Sequence, residues 1–228
     1  MTAAAESPTP SPAADPVEPS PSAAAADPAA DTAVGQPVAG CSPPGSFRGP
    51  GATFSVAPTP PATPPALALW TLATNCGFIL IELDAAAAPA TTASLDFLSE
   101  QGYYDETFCH RLTTTGIFVL QCGDPTATGT GGPGYQLAEE NLPAAGERNY
   151  PAGTVAMART AQPGSTGSQF FLVYDDTTLN PDYTIVGRVV QGLETLQAIA
   201  AAGVEGGGTD GFPTQPVFIT KARVGGTP

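Results

Sequence analysis

Arg111 is the residue of this 228-residue chain whose surroundings most invite chemistry. It closes the run Phe108-Cys109-His110-Arg111, and an arginine inside a strand-like run is uncommon. Two further runs accompany it, Val119-Leu120-Gln121-Cys122-Gly123-Asp124 and Gly167-Ser168-Gln169-Phe170-Phe171. Each sets one polar side chain among apolar ones. Successive side chains of an extended chain point to opposite faces. Val119 and Gln121 therefore share one face, while Phe118, Leu120 and Cys122 share the other. By the same rule Gln169 and Phe171 face together. One face of each strand can build a core while the other offers an apolar floor with a few hydrogen-bonding groups. Such a floor suits an uncharged, partly apolar peptide and is poorly equipped for acid–base work.

Other chemistries find little support. Cys109 and His110 are neighbours in a strand-like run and point apart, so they do not form a nucleophile and its base. The single histidine and the scattered cysteines lack zinc spacing, so no metal is expected. Gly164-Ser165-Thr166-Gly167 is not a nucleophile elbow. Gly129-Thr130-Gly131-Gly132-Pro133-Gly134 matches a dinucleotide fingerprint only formally, because Pro133 and its neighbours read as a loop with no crossover helix after it. No cofactor is expected.

Seven Lys+Arg against 21 Asp+Glu leave a formal charge of -14, which argues against nucleic acid or an anionic membrane as partner. Residues 1–65 hold more than half of the 26 prolines, together with Ala, Ser and Thr. This composition reads as a low-complexity tail or linker, partly disordered, with polyproline II character. A tether holding a folded domain off a surface and a tail without function are both open. No signal peptide or membrane-spanning run is seen. Val38-Ala39-Gly40-Cys41 looks like a lipoprotein cleavage site but lacks an apolar segment before it. The tail favours an extracytoplasmic protein, secreted or anchored through a segment absent from this chain; a cytoplasmic one is the alternative. Cys41, Cys76, Cys109 and Cys122 fit two disulfides and equally fit buried thiols. Strand parity sets Cys109 with Arg111 and Cys122 opposite Gln121, so a bridge between those two is not an easy inference.

The elements that must position these residues lie in 66–228. Residues 68–73 and 78–83 read as strands joined by a hairpin at Asn75-Cys76-Gly77. Pro89 starts a helix that ends before Gly102, and Leu193 to Ala201 forms a second. Strands follow near 108–112, 117–122, 153–158, 168–174 and 184–190, with a last one at 217–224. A mainly β fold is expected, a closed eight-stranded antiparallel barrel capped by two α-helices.

In order, Phe108-Cys-His-Arg111, Val119-Leu-Gln-Cys-Gly-Asp124, Gly129-Thr-Gly-Gly132, Val155-Ala-Met-Ala158, Gly167-Ser-Gln-Phe-Phe171 and Ile185-Val-Gly187 resemble the signature blocks of the cyclophilin peptidyl-prolyl isomerases. The spelling looks most like the actinobacterial branch, often membrane-anchored with the domain outside. The resemblance implies a peptidyl-prolyl cis–trans isomerase that assists folding, with its groove on the outer surface of the barrel. It implies Arg111 as the catalytic arginine, with Gln121 and Gln169 holding arginine and substrate. It places Phe118, Val119 and Phe171 around the proline, Leu179 at the pocket wall, and Ala158, Arg159 and Thr160 along the preceding residues. His110 belongs to the same site, and Tyr183 stands where many relatives have His. Proline-containing peptides and unfolded or exported proteins are the partners implied, with a monomer and no membrane contact by the domain. Val119 replaces the usual Met, and Thr178 the frequent Trp, so cyclosporin-type inhibitors are expected to bind weakly. A proline-binding or chaperone module with incidental turnover, or a groove occupied by the tail's own prolines, would use the same residues.

Overall fold

The structure is a computed structural model and describes residues 38–225; the expected tail over residues 1–37 lies outside the described residues. Its core is one antiparallel sheet of ten strands. These are β1 (Ala68–Thr74), β2 (Gly77–Leu83), β3 (Thr107–Cys109), β4 (Arg111–Thr115) and β5 (Ile117–Cys122), then β6 (Thr154–Met157), β7 (Phe170–Val173), β8 (Ile185–Gln191), β9 (Asp210–Gly211) and β10 (Val217–Gly225). The order across the sheet is β3-β10-β1-β2-β8-β6-β7-β5-β4-β9. The closed eight-stranded barrel is thus corrected to a curled sheet with a short extra strand at each edge. β3 and β9 do not pair with each other. The curl is joined instead by a disulfide between Cys109 and Cys122 and by His110 N–H donating to the Gln121 carbonyl at 3.0 Å.

That disulfide corrects the parity reading. The run around 108–112 is not one strand: β3 pairs with β10, β4 pairs with β5, and the chain breaks between them at His110. The break resets the alternation. Cys109 and Cys122 both turn inward and are buried, while Arg111 turns outward.

The interior is apolar and tightly filled, with Trp70 among Tyr104 and Phe170 at ring separations of 5.4 and 4.7 Å. Its indole N–H donates to Ser99 Oγ at 3.0 Å, which removes the cost of burying a donor. Helix α1 (Pro89–Glu100) starts, as expected, on proline, whose missing N–H is no loss there. Its free amides at Ala90 and Thr91 donate to the Glu140 carboxylate, a charge suited to the positive end of the helix. Helix α2 (Leu193–Ala201) has the expected bounds.

Residues 38–65, expected to belong to the tail, contain no helix or strand but are fastened along the curled sheet. Cys41 is bonded to Cys76 in the β1–β2 turn, and Asn75 exchanges hydrogen bonds with Ser42. Arg48 donates to the carbonyls of Gly102 and Tyr103 just beyond α1. Phe54 stacks edge-on against Phe97 at 4.8 Å, and its N–H donates to the Pro133 carbonyl. Proline-rich composition signals an inability to form regular structure, and a few specific contacts suffice to order such a segment. No helix among the described residues is long and apolar enough to cross a membrane.

Candidate active site

The outward face of the sheet carries one row of partners across five strands. Arg111 of β4 lies opposite Gln121 of β5, Gln121 opposite Phe171 of β7, Phe171 opposite Ala156 of β6, and Ala156 opposite Ile185 of β8. The next row sets Thr113, Val119 and Val173 side by side. Strand alternation therefore delivers a guanidinium, an amide and an aromatic ring to neighbouring points of one surface.

Hydrogen bonds hold the polar members in a directed relay. Arg111 Nη1 donates to Gln121 Oε1 at 3.3 Å, and Gln121 Nε2 donates to Gln169 Oε1 at 2.8 Å. Gln169 Nε2 then donates to the carbonyls of Gly129 and Gly131 at 3.0 and 2.9 Å. The formal dinucleotide fingerprint is thus the loop that receives the end of this relay. The loop is wound around the buried Asp124 carboxylate, which accepts from the amides of Thr126, Thr128, Gly129 and Gly131. Burial pushes the Asp124 carboxyl up, but the bonds from Thr126, Gly131 and Gly129 together outweigh it and hold it below the usual range. A side chain at Gly131 would begin 2.0 Å from Asp124 Oδ1, so only glycine fits.

The apolar members form a second cluster, separate from the interior: Val119, Tyr150, Ala156, Phe171 and Val173, with Ile117, Ala158, Leu179, Tyr183 and Ile185 packed against them. Tyr183 stands edge-on to Phe171 at 5.5 Å. Tyr150 fixes it there, its hydroxyl accepting from the Tyr183 amide and donating to the Tyr183 carbonyl, both at 3.1 Å. Phe118, expected at the pocket, packs instead on the interior side against Tyr174, with ring centroids 6.0 Å apart. Its place is taken by Ile117, which has the parity of Val119 and Gln121. Alternation within β5 here overrules the alignment of blocks.

Beside this cluster lies an open groove of about 710 Å³, lined by Gln121, Gly131, Ala158, Arg159, Thr160 and Gln169 among others. Ala158 faces it while its N–H donates to the Gln169 carbonyl. Arg159 is largely enclosed by partners of its own: Asp182 at 3.1 Å, Glu139 at 3.7 Å, and the carbonyls of Asp182, Thr160 and Gln162. Its guanidinium lies 5.8 Å from the centre of the Tyr183 ring, so it buttresses the wall of the site. Thr160 is exposed at the rim, bonded to Ser165. Leu179 is tied through both its N–H and its carbonyl to Asn149.

His110 is buried, and neither ring nitrogen has a partner among the described residues. Burial lowers its pKa, Asp124 nearby opposes this, and Arg111 adds to it. One partner of Arg111 has no sequence signal at all. Asp210 of β9 binds it bidentately, Oδ1 to Nε and Oδ2 to Nη2, both at 2.7 Å. The pair is exposed, 40% and 53% for the two side chains, so the arginine is not sealed in a buried salt link. Its Nη1 remains turned to Gln121, which lines the groove.

A family model described as cyclophilin type peptidyl-prolyl cis-trans isomerase/CLD matches residues 69–224. The probable peptidyl-prolyl cis-trans isomerase B of Mycobacterium leprae is 46% identical over 178 residues, 73% of this chain and 59% of that protein. The protein of the same name from Mycobacterium tuberculosis is 47% identical over 170 residues, 70% of this chain and 55% of the other. The chain thus spans little more than half the length of these relatives. The crystal structure of a Cryptosporidium parvum cyclophilin type peptidyl-prolyl cis-trans isomerase, in the presence of the dipeptide Ala-Pro, superposes with a TM-score of 0.60 at 29% identity. That match covers 70% of this chain and 99% of the other. With a matching model over the whole sheet and relatives of this identity, the chain belongs to the family of cyclophilin-type peptidyl-prolyl cis–trans isomerases.

Proposed function

We propose that this domain catalyses cis–trans isomerisation of X–Pro bonds in proteins, with Arg111 stabilising the twisted amide. The observation that carries the reading is the row Arg111–Gln121–Phe171, a guanidinium held beside an apolar cluster. An X–Pro bond isomerises in tens of seconds over a barrier of about 20 kcal/mol, because its C–N bond has partial double-bond character. Twisting breaks that resonance and leaves a lone pair on the prolyl nitrogen. A positioned N–H of Arg111 then donates to that lone pair, or holds the proline carbonyl, in the twisted state only. Interaction confined to the transition state is what raises a rate. An acceleration of about 10⁴-fold requires roughly 5.5 kcal/mol. A charge-assisted hydrogen bond supplies about 1.5–3 kcal/mol. The remainder is assigned to the grip of Ile117, Val119, Phe171 and Leu179 on the ring, and to the low polarity around the amide.

In this reading Gln121 and Gln169 orient arginine and peptide, and Ala158 and Thr160 flank the residues before the proline. Tyr183 closes the notch, Arg159 supports it, and His110 lies buried between the arginine and the Gly129 loop. Unfolded or exported proteins are the substrates, a monomer is the working form, and cyclosporin-type inhibitors bind weakly for want of a Trp at Thr178. We further propose an extracytoplasmic, surface-anchored setting like that of the actinobacterial branch. Both pairs of cysteines being joined as disulfides supports it, since such bonds persist in oxidising compartments. The test is isomerisation of an Ala-Pro peptide. Arg111→Ala should keep the fold and lower kcat/KM at least tenfold; an unchanged rate would overturn the role given to Arg111. Retained peptide binding with no acceleration in the wild type would favour a proline-binding module.

A further inference from the structure

Asp210 is brought to Arg111 by the backbone, not by chance of side-chain reach. It lies in the connection between α2 and β10, where Asp210–Gly211 pair only with β4, Asp210 opposite Thr113 and Gly211 opposite Leu112. The Thr114 amide donates to the Thr209 carbonyl at 2.9 Å, extending the same stitch. A carboxylate is thereby held at the edge of the strand that carries the arginine, and it grips Nε and Nη2 with two bonds of 2.7 Å. An exposed pair of this kind adds little to fold stability. Its geometric effect is larger. A bidentate fork fixes both the rotation and the plane of a guanidinium that otherwise samples many rotamers.

We propose that Asp210 is a positioning residue for Arg111, completing from the solvent side the orientation that Gln121 provides from the groove side. This rests on the catalytic reading of Arg111. A guanidinium carries five N–H donors. Two bind Asp210 and one is turned to Gln121, which leaves two directed away from both partners and free for an amide in transit. The bond to Arg111 lowers the Asp210 pKa and outweighs the opposing effect of burial. The carboxylate is therefore ionised throughout the neutral range, and the pair acts as a permanent clamp with no pH gate.

The experiment is a double-mutant cycle on the full chain, with the Ala-Pro peptide and kcat and KM resolved separately. Asp210→Ala should lower kcat about three- to tenfold with KM within about twofold, because the apolar notch that binds the ring is untouched. Asp210→Asn keeps one acceptor and should fall between. In the Arg111→Ala background, Asp210→Ala should cause no further loss. A further loss of equal size there would make Asp210 merely structural and overturn the inference, as would a single Asp210→Ala variant with unchanged or raised kcat. If Arg111→Ala alone costs nothing, the catalytic reading falls and this inference with it. If Arg111→Ala is slow while Asp210→Ala matches wild type, only the inference falls.

Discussion

The two disulfides are placed for different ends. Cys41–Cys76 joins a segment without regular structure to a hairpin turn, across a sequence separation of 35. Cys109–Cys122 joins strands already close in space, across a separation of 13, and its cysteines adjoin His110-Arg111 on one side and Gln121 on the other. The first constrains much chain that meets the groove only at its rim, through Phe54 and Pro133, and the second constrains little chain beneath it. On the chain-entropy account they should stabilise the fold by about 3.8 and about 2.9 kcal/mol. Stability and activity should therefore rank the two in opposite order.

The sharpest way to break this comparison is Cys41→Ala/Cys76→Ala. Chemical denaturation should show a loss of about 3–4 kcal/mol, while kcat/KM at a temperature where the protein remains folded stays within about twofold. A large drop in activity would tie the N-terminal segment to the groove and erase the distinction. Cys109→Ala/Cys122→Ala should cost less stability, about 2–3 kcal/mol, yet reduce kcat/KM several-fold, because Arg111 and Gln121 lose the anchor behind them. Full activity in that variant would show that the ladder between β4 and β5 is sufficient alone.

A smaller effect sharpens the contrast. Because the folded pKa of His110 lies below its ordinary value, the folded protein keeps it neutral while the unfolded chain takes up a proton. This stabilising contribution is complete above about pH 6.5 and declines as pH falls from there toward the lowered folded value, at no more than about 1.4 kcal/mol per pH unit. Unfolding measured between pH 7 and 5 should show that decline in wild type and a flatter profile in His110→Gln. Equal slopes would mean that the ring is hydrated in solution. Asp124 and Arg111 are the charged groups acting on this ring, and Asp124 titrates only at lower pH, its carboxyl being held below the usual range.

Most strands and both helices were legible because period-two alternation and a helix-starting proline are local signals, whereas 108–112, read as one strand, is split between β3 and β4. That Val119 shares a face with Gln121, and Gln169 with Phe171, was legible for the same reason, while the roles given to them and to Arg111 rested on the resemblance. Phe118 shows where two signals conflict: block resemblance placed it in the notch, parity placed it inside, and packing against Tyr174 follows parity. The Cys109–Cys122 bond was hidden by a single residue, His110, where the chain leaves one ladder and enters another. Asp210 was beyond reach, since a two-residue strand has no periodicity and its partner lies 99 positions away. Composition likewise could not reveal that residues 38–65 are fastened, because Cys41, Arg48 and Phe54 do so individually.

The Cys41–Cys76 bond has a mechanical consequence. Tension applied to the chain ahead of Cys41 is transmitted by a covalent link into the β1–β2 hairpin, whose strands lie between β10 and β8 within the sheet. The hydrogen bond from Phe54 to Pro133, at the rim of the groove, lies downstream of that link and carries no load. Reduction would leave that load on the weaker hydrogen bonds between Ser42 and Asn75 at the same turn, and next on those of Arg48.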